Sequence, residues 1–71
     1  MVLDFPRLRE ELETRVRART GGRLRKLGIE LSPDGIVLHG VTNTYHVKQL
    51  AQTGVRDLLP NVQLRNDIRV T

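Results

Sequence analysis

Residues 29–41 read IELSPDGIVLHGV, and this pattern predicts a β-hairpin. Ile29 and Leu31 alternate with a polar residue, and residues 36–41 continue the alternation of an extended chain. Between them, the sequence SPDG at 32–35 is a strong turn signal, because proline presets φ at the second position and glycine at the fourth accepts a positive φ. We therefore predict strands at about residues 28–32 and 36–41.

The returning strand has two different faces. Side chains alternate across a strand, so one face carries Ile36, Leu38 and Gly40, and the other carries Val37, His39 and Val41. A chain of 71 residues buries only about 60% of its extended surface, so it has room for one core. We expect only one of these faces to be fully buried.

A helix is predicted on each side of the hairpin. Asp4 and Pro6 suit the start of a first helix at about residues 6–20, and Gly21-Gly22 end it. Its apolar positions recur every four residues, at Leu8, Leu12 and Val16. The second helix, at about 44–58, begins at a cap, Asn43 or Thr44, and has a broader apolar stripe, at Val47, Leu50, Ala51, Gly54, Val55 and Leu58.

Two features remain, a glycine in the second helix and the last strand. Gly54, in the interior of this helix, should cost about 1 kcal/mol relative to alanine, which is reasonable if another backbone passes close by. After Pro60-Asn61, residues 62–70 alternate in period two through Leu64, Asn66, Ile68 and Val70. Residues 1–71 are thus predicted to form a single α/β domain of the α+β class, with the order α-β-β-α-β.

The composition limits both the core and the chemistry. The chain has no cysteine and is 38% hydrophobic, and its only aromatic residues are Phe5 and Tyr45, so the core must be aliphatic and no disulfide supports it. The sequence shows neither a membrane-spanning stretch nor a signal peptide. As written, it predicts a cytoplasmic protein, or a periplasmic or envelope protein if a leader has been removed.

The ordered set of these features resembles the BON domain, a family named for bacterial osmotic-stress and nodulation proteins. The resemblance is carried by Ile29-x-Leu31, the turn Asp34-Gly35, Ile36-x-Leu38-x-Gly40, the small residue Ala51, and Val62-x-Leu64-x-Asn66-x-Ile68-x-Val70. It spans nearly the whole chain. It implies two helices packed on one face of a three-stranded mixed sheet, and a non-catalytic binding module of the kind often described as phospholipid-associated.

The chain departs from the family pattern in two places. The two hairpin glycines, Gly35 and Gly40, stand one residue closer together than is usual in the family, which shortens the turn. Asn61 stands where the family usually has glycine, and asparagine is the next most tolerant residue for a left-handed conformation. We therefore assign structural turn roles to Asp34, Gly35, Gly40 and Asn61.

Positive charge is concentrated in the first third of the chain. Residues 1–27 hold eight basic and four acidic side chains, and the other residues hold four of each, so the net charge of +4 arises there. Arginine favours bidentate pairing with carboxylates or phosphates. We predict a site for anionic phospholipid headgroups at Arg15, Arg17, Arg19, Arg23, Arg25 and Lys26, the last four without a nearby acid. The alternative is a solvated helix face.

Other functions have weaker support in the sequence. His39 and His46 have neither cysteine nor carboxylate at ligand spacing, so we predict no metal site, and no catalytic group, cofactor or small-molecule substrate is expected. Nucleic acid is disfavoured because stacking aromatics are missing and Gly21-Gly22 lacks the GxxG spacing. A partner protein or a homo-oligomer remains the main alternative to lipid, since either could cover Val37 and Val41 or a sheet edge.

Overall fold

The computed structural model describes residues 5–71, which form two helices and one three-stranded sheet. This order and the α+β class confirm the prediction, with Thr44 as the cap of the second helix. Asp4, predicted at the start of the first helix, lies outside the described residues. In chain order the elements are α1 (Phe5–Thr20), β1 (Arg25–Ser32), β2 (Gly35–Thr42), α2 (Tyr45–Leu58) and β3 (Leu64–Val70).

The sheet is mixed, with β2 in the centre. The hairpin makes β1 antiparallel to β2, whereas β3 is parallel to β2 and is therefore reached through a crossover, which α2 provides. The register places Leu38 beside Ile29 on one side and Asn66 on the other. Both helices lie on the face of the sheet that carries Leu38, and neither of them covers the opposite face, which we call the uncovered face.

The buried hydrophobic side chains are aliphatic and come from every element. Burying each of them stabilises the fold by about 1.5–3 kcal/mol relative to exposure, apart from alanine. On β2, as expected, only one face is fully buried: it carries Ile36, Leu38 and Gly40, and the opposite face is half-buried. The buried hydrophobic residues are Leu12, Val16, Ile29, Ile36, Leu38, Val47, Ala51, Val55 and Ile68.

The hairpin turn contains two residues, since Ser32 pairs directly with Gly35. Gly35 has a φ of +153°, as the turn signal predicts, and the Ser32 hydroxyl donates to its carbonyl at 3.3 Å. Gly40 is not a turn residue: it lies inside β2, where a Cβ would be 2.8 Å from Cδ1 of Leu24. Gly40 thus makes room for the leucine that follows the first loop.

Three local predictions were wrong. β1 begins at Arg25, not residue 28. Between Arg25 and Gly28 a β-bulge adds one extra residue to β1 relative to β2, and this disrupts the alternation by which the strand could be recognised in the sequence. β3 begins at Leu64, not residue 62. Asn61 lies in a turn, as predicted, but it is not left-handed. Within residues 5–71 the non-glycine residue with positive φ is Lys26, at +56°, in the bulge.

Asn66 joins β3 to α2. Its amide nitrogen donates to the carbonyl of Lys48 at 3.0 Å, and its Oδ1 accepts from the amide of Ile68 at 3.2 Å. We expect Asn66→Ala to lower the free energy of unfolding by about 2 kcal/mol, because these polar groups lose their partners. Urea denaturation checks this, with Arg65→Ala on the exposed face as a control that should change stability by less than about 0.5 kcal/mol.

Candidate functional site

On the uncovered face of the sheet, three rows of residues extend across all three strands. Partners across a ladder point to the same side of a sheet, so the strand registers define the rows directly. The row nearest the hairpin turn is mixed in charge, the middle row contains the histidine, and the third row contains two arginines. From the turn outward the rows are Glu30–Val37–Arg65, Gly28–His39–Asp67 and Arg25–Val41–Arg69.

The first two rows contain paired charges. His39 Nε2 lies 3.0 Å from Oε1 of Glu30, and Arg65 Nε donates to Oδ1 of Asp67 at 3.0 Å. Both carboxylates of these rows therefore contact a nitrogen-bearing side chain: Glu30 contacts His39, and Asp67 contacts Arg65. Neither of these two rows therefore carries an excess of positive charge.

The third row differs because neither of its arginines contacts a carboxylate. Arg25 donates from Nη2 to Oδ1 of Asn43 at 3.4 Å, and Arg69 forms no ion pair with any described residue. Both flank Val41, one strand spacing to either side, so their Cα atoms stand about 10 Å apart. The row thus has two positive charges and no negative one.

Two further cations adjoin this row. Arg23 donates from Nε to the carbonyl of Thr20 at 3.2 Å, at the end of α1, and Lys26 occupies the bulge beside Arg25. A left-handed backbone costs a residue other than glycine about 1–2 kcal/mol, and Lys26 adopts it. We call these four residues, Arg23, Arg25, Lys26 and Arg69, the basic end.

The six-residue patch predicted from the sequence is divided. Arg19 binds Oδ2 of Asp57, at 2.8 Å from Nε, so the expectation that no acid lies near it was wrong. Arg17 pairs with Glu13 at 3.4 Å. Arg15 forms no ion pair within the described chain, and it projects about 200° around the helix axis from Arg17. The patch therefore retains only Arg23, Arg25 and Lys26 as a group.

Two residues of the site could not be recognised from the sequence. Asp57 is 38 residues from Arg19, and no local spacing relates the two. Arg69 reaches the basic end only through the parallel pairing of β2 with β3. If β2 and β3 had been aligned as parallel neighbours, Arg69 could have been placed beside Val41; no other feature of the sequence indicates this contact.

The described residues contain neither a metal-binding cluster nor a membrane-spanning helix. Within residues 5–71, three or more histidine, cysteine or acidic side chains are nowhere grouped to hold a metal ion, and neither helix is long and apolar enough to cross a membrane. Comparison with known proteins found no matching family model, curated protein or solved structure.

Proposed function

We propose that this domain is a non-catalytic binding module of the BON type that attaches to anionic phospholipid surfaces through its basic end. The observation that carries the proposal is the third row of the open face, in which Arg25 and Arg69 have no carboxylate partner. Each of the other two rows contains an acidic side chain, Glu30 or Asp67. A planar negative surface would therefore attract this end of the domain more than any other part of the sheet.

Exposed apolar side chains lie near the same end. Among the described residues, the large hydrophobic side chains that remain exposed are Tyr45 and Val70, at 63% and 43%. Tyr45 opens α2, directly after the loop that binds Arg25 through Asn43, and Val70 follows Arg69. Tyrosine is favoured at membrane–water interfaces because its ring is apolar and its hydroxyl is polar. Cations beside such side chains suit a peripheral contact with headgroups.

The attachment should be weak and sensitive to salt. Each basic residue near an anionic surface contributes about 1 kcal/mol, so the four cations supply about 4 kcal/mol before screening. That energy corresponds to a dissociation constant of about 1 mM for a single domain. At an ionic strength of about 0.1 M the screening length is about 10 Å, so high salt should release the domain.

Removing the two unpaired arginines of the third row should weaken vesicle binding. We expect Arg25→Gln with Arg69→Gln to reduce partitioning onto phosphatidylglycerol vesicles by about thirtyfold at low salt, because two favourable charges of about 1 kcal/mol each are lost. Co-sedimentation measures this, with phosphatidylcholine vesicles as the neutral reference.

A second double variant matches the first in charge. Arg9→Gln with Arg15→Gln also removes two positive charges, but from α1, and neither residue forms an ion pair within the described chain. This control should retain most of the binding. Equal losses in both variants would mean that net charge alone is sensed, and equal binding to neutral vesicles would contradict the proposal.

The second candidate function is interaction with a partner protein or with another copy of the chain. It is favoured by the uncovered sheet face, where Val37 and Val41 are only half-buried, and by the free outer edges of β1 and β3. Light scattering over a micromolar dilution series tests self-association. A monomer at every concentration excludes the homo-oligomer, and a dimer that dissociates on dilution favours it.

A further inference from the structure

A cleft of about 300 Å³ opens at the N-terminus of α2, beside the basic end. The first loop forms one wall and the connection between β2 and α2 forms the other. None of the side chains around it is acidic. The lining residues are Gly22, Arg23, Arg25, Thr42, Asn43, Thr44 and Val47.

Thr42 is the most informative of these residues. It is 1% exposed, it lies on the helix-covered side of β2, and its carbonyl accepts from the amide of Thr71 at 2.9 Å. Its hydroxyl forms no hydrogen bond with any described residue. Among the described residues, every fully enclosed side-chain oxygen or nitrogen has a hydrogen-bond partner. Because the hydroxyl of Thr42 has none, it must be the small part of this residue that is still exposed, and that part faces the cleft.

A hydroxyl that is this deeply buried and has no partner in the described chain is well placed to bind a ligand that reaches it through the cleft. A buried polar group without a partner costs about 1–3 kcal/mol. Most buried hydroxyls avoid this cost: Thr20, also buried, donates to the carbonyl of Val16 at 2.9 Å. Thr42 has no such carbonyl, and the cleft is the direction left open to it.

The charges around the cleft indicate the sign of that ligand. The first amides of an α-helix have no intrahelical acceptor, and the helix dipole makes this end positive. In α2 the cap residue Thr44 accepts from one of these amides, that of Val47, at 3.2 Å. Arg23 and Arg25 each use one N–H group in the protein, on Thr20 and Asn43, and have others to offer. Guanidinium groups and a helix N-terminus both favour oxyanions.

We infer that this cleft binds a phosphate group, held by the guanidinium groups of Arg23 and Arg25 and by the hydroxyl of Thr42, at the positive end of α2. The inference deepens the proposed function and rests on it for one source of ligand, the phosphate of an anionic headgroup. A free phosphate or a soluble phosphomonoester has the same chemistry. The cleft is therefore tested first with an anion that needs no membrane.

The test is a titration of the full chain with inorganic phosphate at constant ionic strength, with chloride as the exchanged ion, followed by ¹H–¹⁵N NMR. We expect saturable shifts at the amides of the first turn of α2 and at the Nε–H groups of Arg23 and Arg25. Thr42→Val should weaken phosphate binding by about tenfold, as loss of a hydrogen bond to a charged group predicts. Arg25→Gln should weaken it by a similar factor.

Two controls separate a site from a folding defect. Thr42→Val removes a hydroxyl that has no partner, so its stability in urea should equal or exceed that of the parent chain. Thr53→Val removes an exposed hydroxyl of α2 that donates to the carbonyl of Gln49, away from the cleft, and should leave the phosphate affinity unchanged. Shifts that do not saturate, or an affinity unaffected by Thr42→Val, would overturn the inference.

Vesicle binding by the same variants identifies the source of the phosphate. If Thr42→Val weakens binding to phosphatidylglycerol vesicles as well as to phosphate, the cleft holds the headgroup. If only phosphate binding is weakened, the cleft is a site for a soluble phosphate compound and the inference stands. A chain that binds phosphate but no vesicles supports the cleft and removes the proposed attachment to lipid, so the two can fail separately.

Discussion

Substituting leucine for Gly54 is expected to lower the free energy of unfolding by about 3 kcal/mol, because the two helices touch at this point. A Cβ at Gly54 would lie 3.0 Å from Cα of Val16 and 3.1 Å from the carbonyl oxygen of Arg15. These are backbone atoms of α1, which can move only if the helices separate. A domain of this size has about 5 kcal/mol of stability, so the loss is most of the total. Urea denaturation followed by far-ultraviolet circular dichroism measures it.

The neighbouring residue supplies the control for this prediction. Thr53→Leu adds a side chain of the same size on the exposed side of α2 and should change stability by less than about 0.5 kcal/mol. Gly54→Ala should fall between the two, because alanine gains about 1 kcal/mol of helix propensity and loses more through the close contact with α1. A stable Gly54→Leu variant would mean that the helices are farther apart than described.

The contact at Gly54 shows what the sequence could predict. A glycine in the apolar stripe of an amphipathic helix indicates that a backbone passes close by, and Val16 of α1 occupies that place. The hairpin was predicted with similar ease, since Pro33 and Gly35 restrict the turn and the flanking residues alternate. Both predictions rest on the local preferences of a few adjacent residues, and these preferences agree with the packing.

The parts of the site that were missed depend on contacts between distant residues. The bulge at Lys26 has no signal in the sequence, because lysine is not a residue that favours a left-handed backbone. The sequence groups Arg19 with Arg23, but a carboxylate from α2, Asp57, neutralises it in the fold. Thr42 reads as the end of a strand, and only the packed structure shows that its hydroxyl has no partner. Charge clusters in a sequence therefore overestimate the free charge of a surface.

The pairing of β2 with β3 links the stability of the domain to its basic end. This ladder starts where the amide of Ile36 donates to the carbonyl of Gln63 at 2.9 Å, next to the hairpin turn. It places Val41 beside Arg69 and ends one pair later, at Thr42 and Val70. A change at the start of the ladder would shift the register of β3 and so move Arg69 away from Arg25. The second large effect is expected at this start.

Replacing Gly35 with alanine is expected to lower the free energy of unfolding by about 3 kcal/mol, because two costs add. A Cβ at this position would lie 2.5 Å from the carbonyl oxygen of Gln63, which β3 needs in order to pair with Ile36, and the φ of +153° is one that L-residues rarely adopt. D-alanine in place of Gly35, introduced by chemical synthesis, carries its methyl group on the other side and should restore most of the stability. Asp34→Ala, at the exposed turn residue beside it, should change stability by less than about 0.5 kcal/mol. Thermal and urea denaturation measure all three, and equal losses from L- and D-alanine would show that the contact with Gln63 is not what requires glycine.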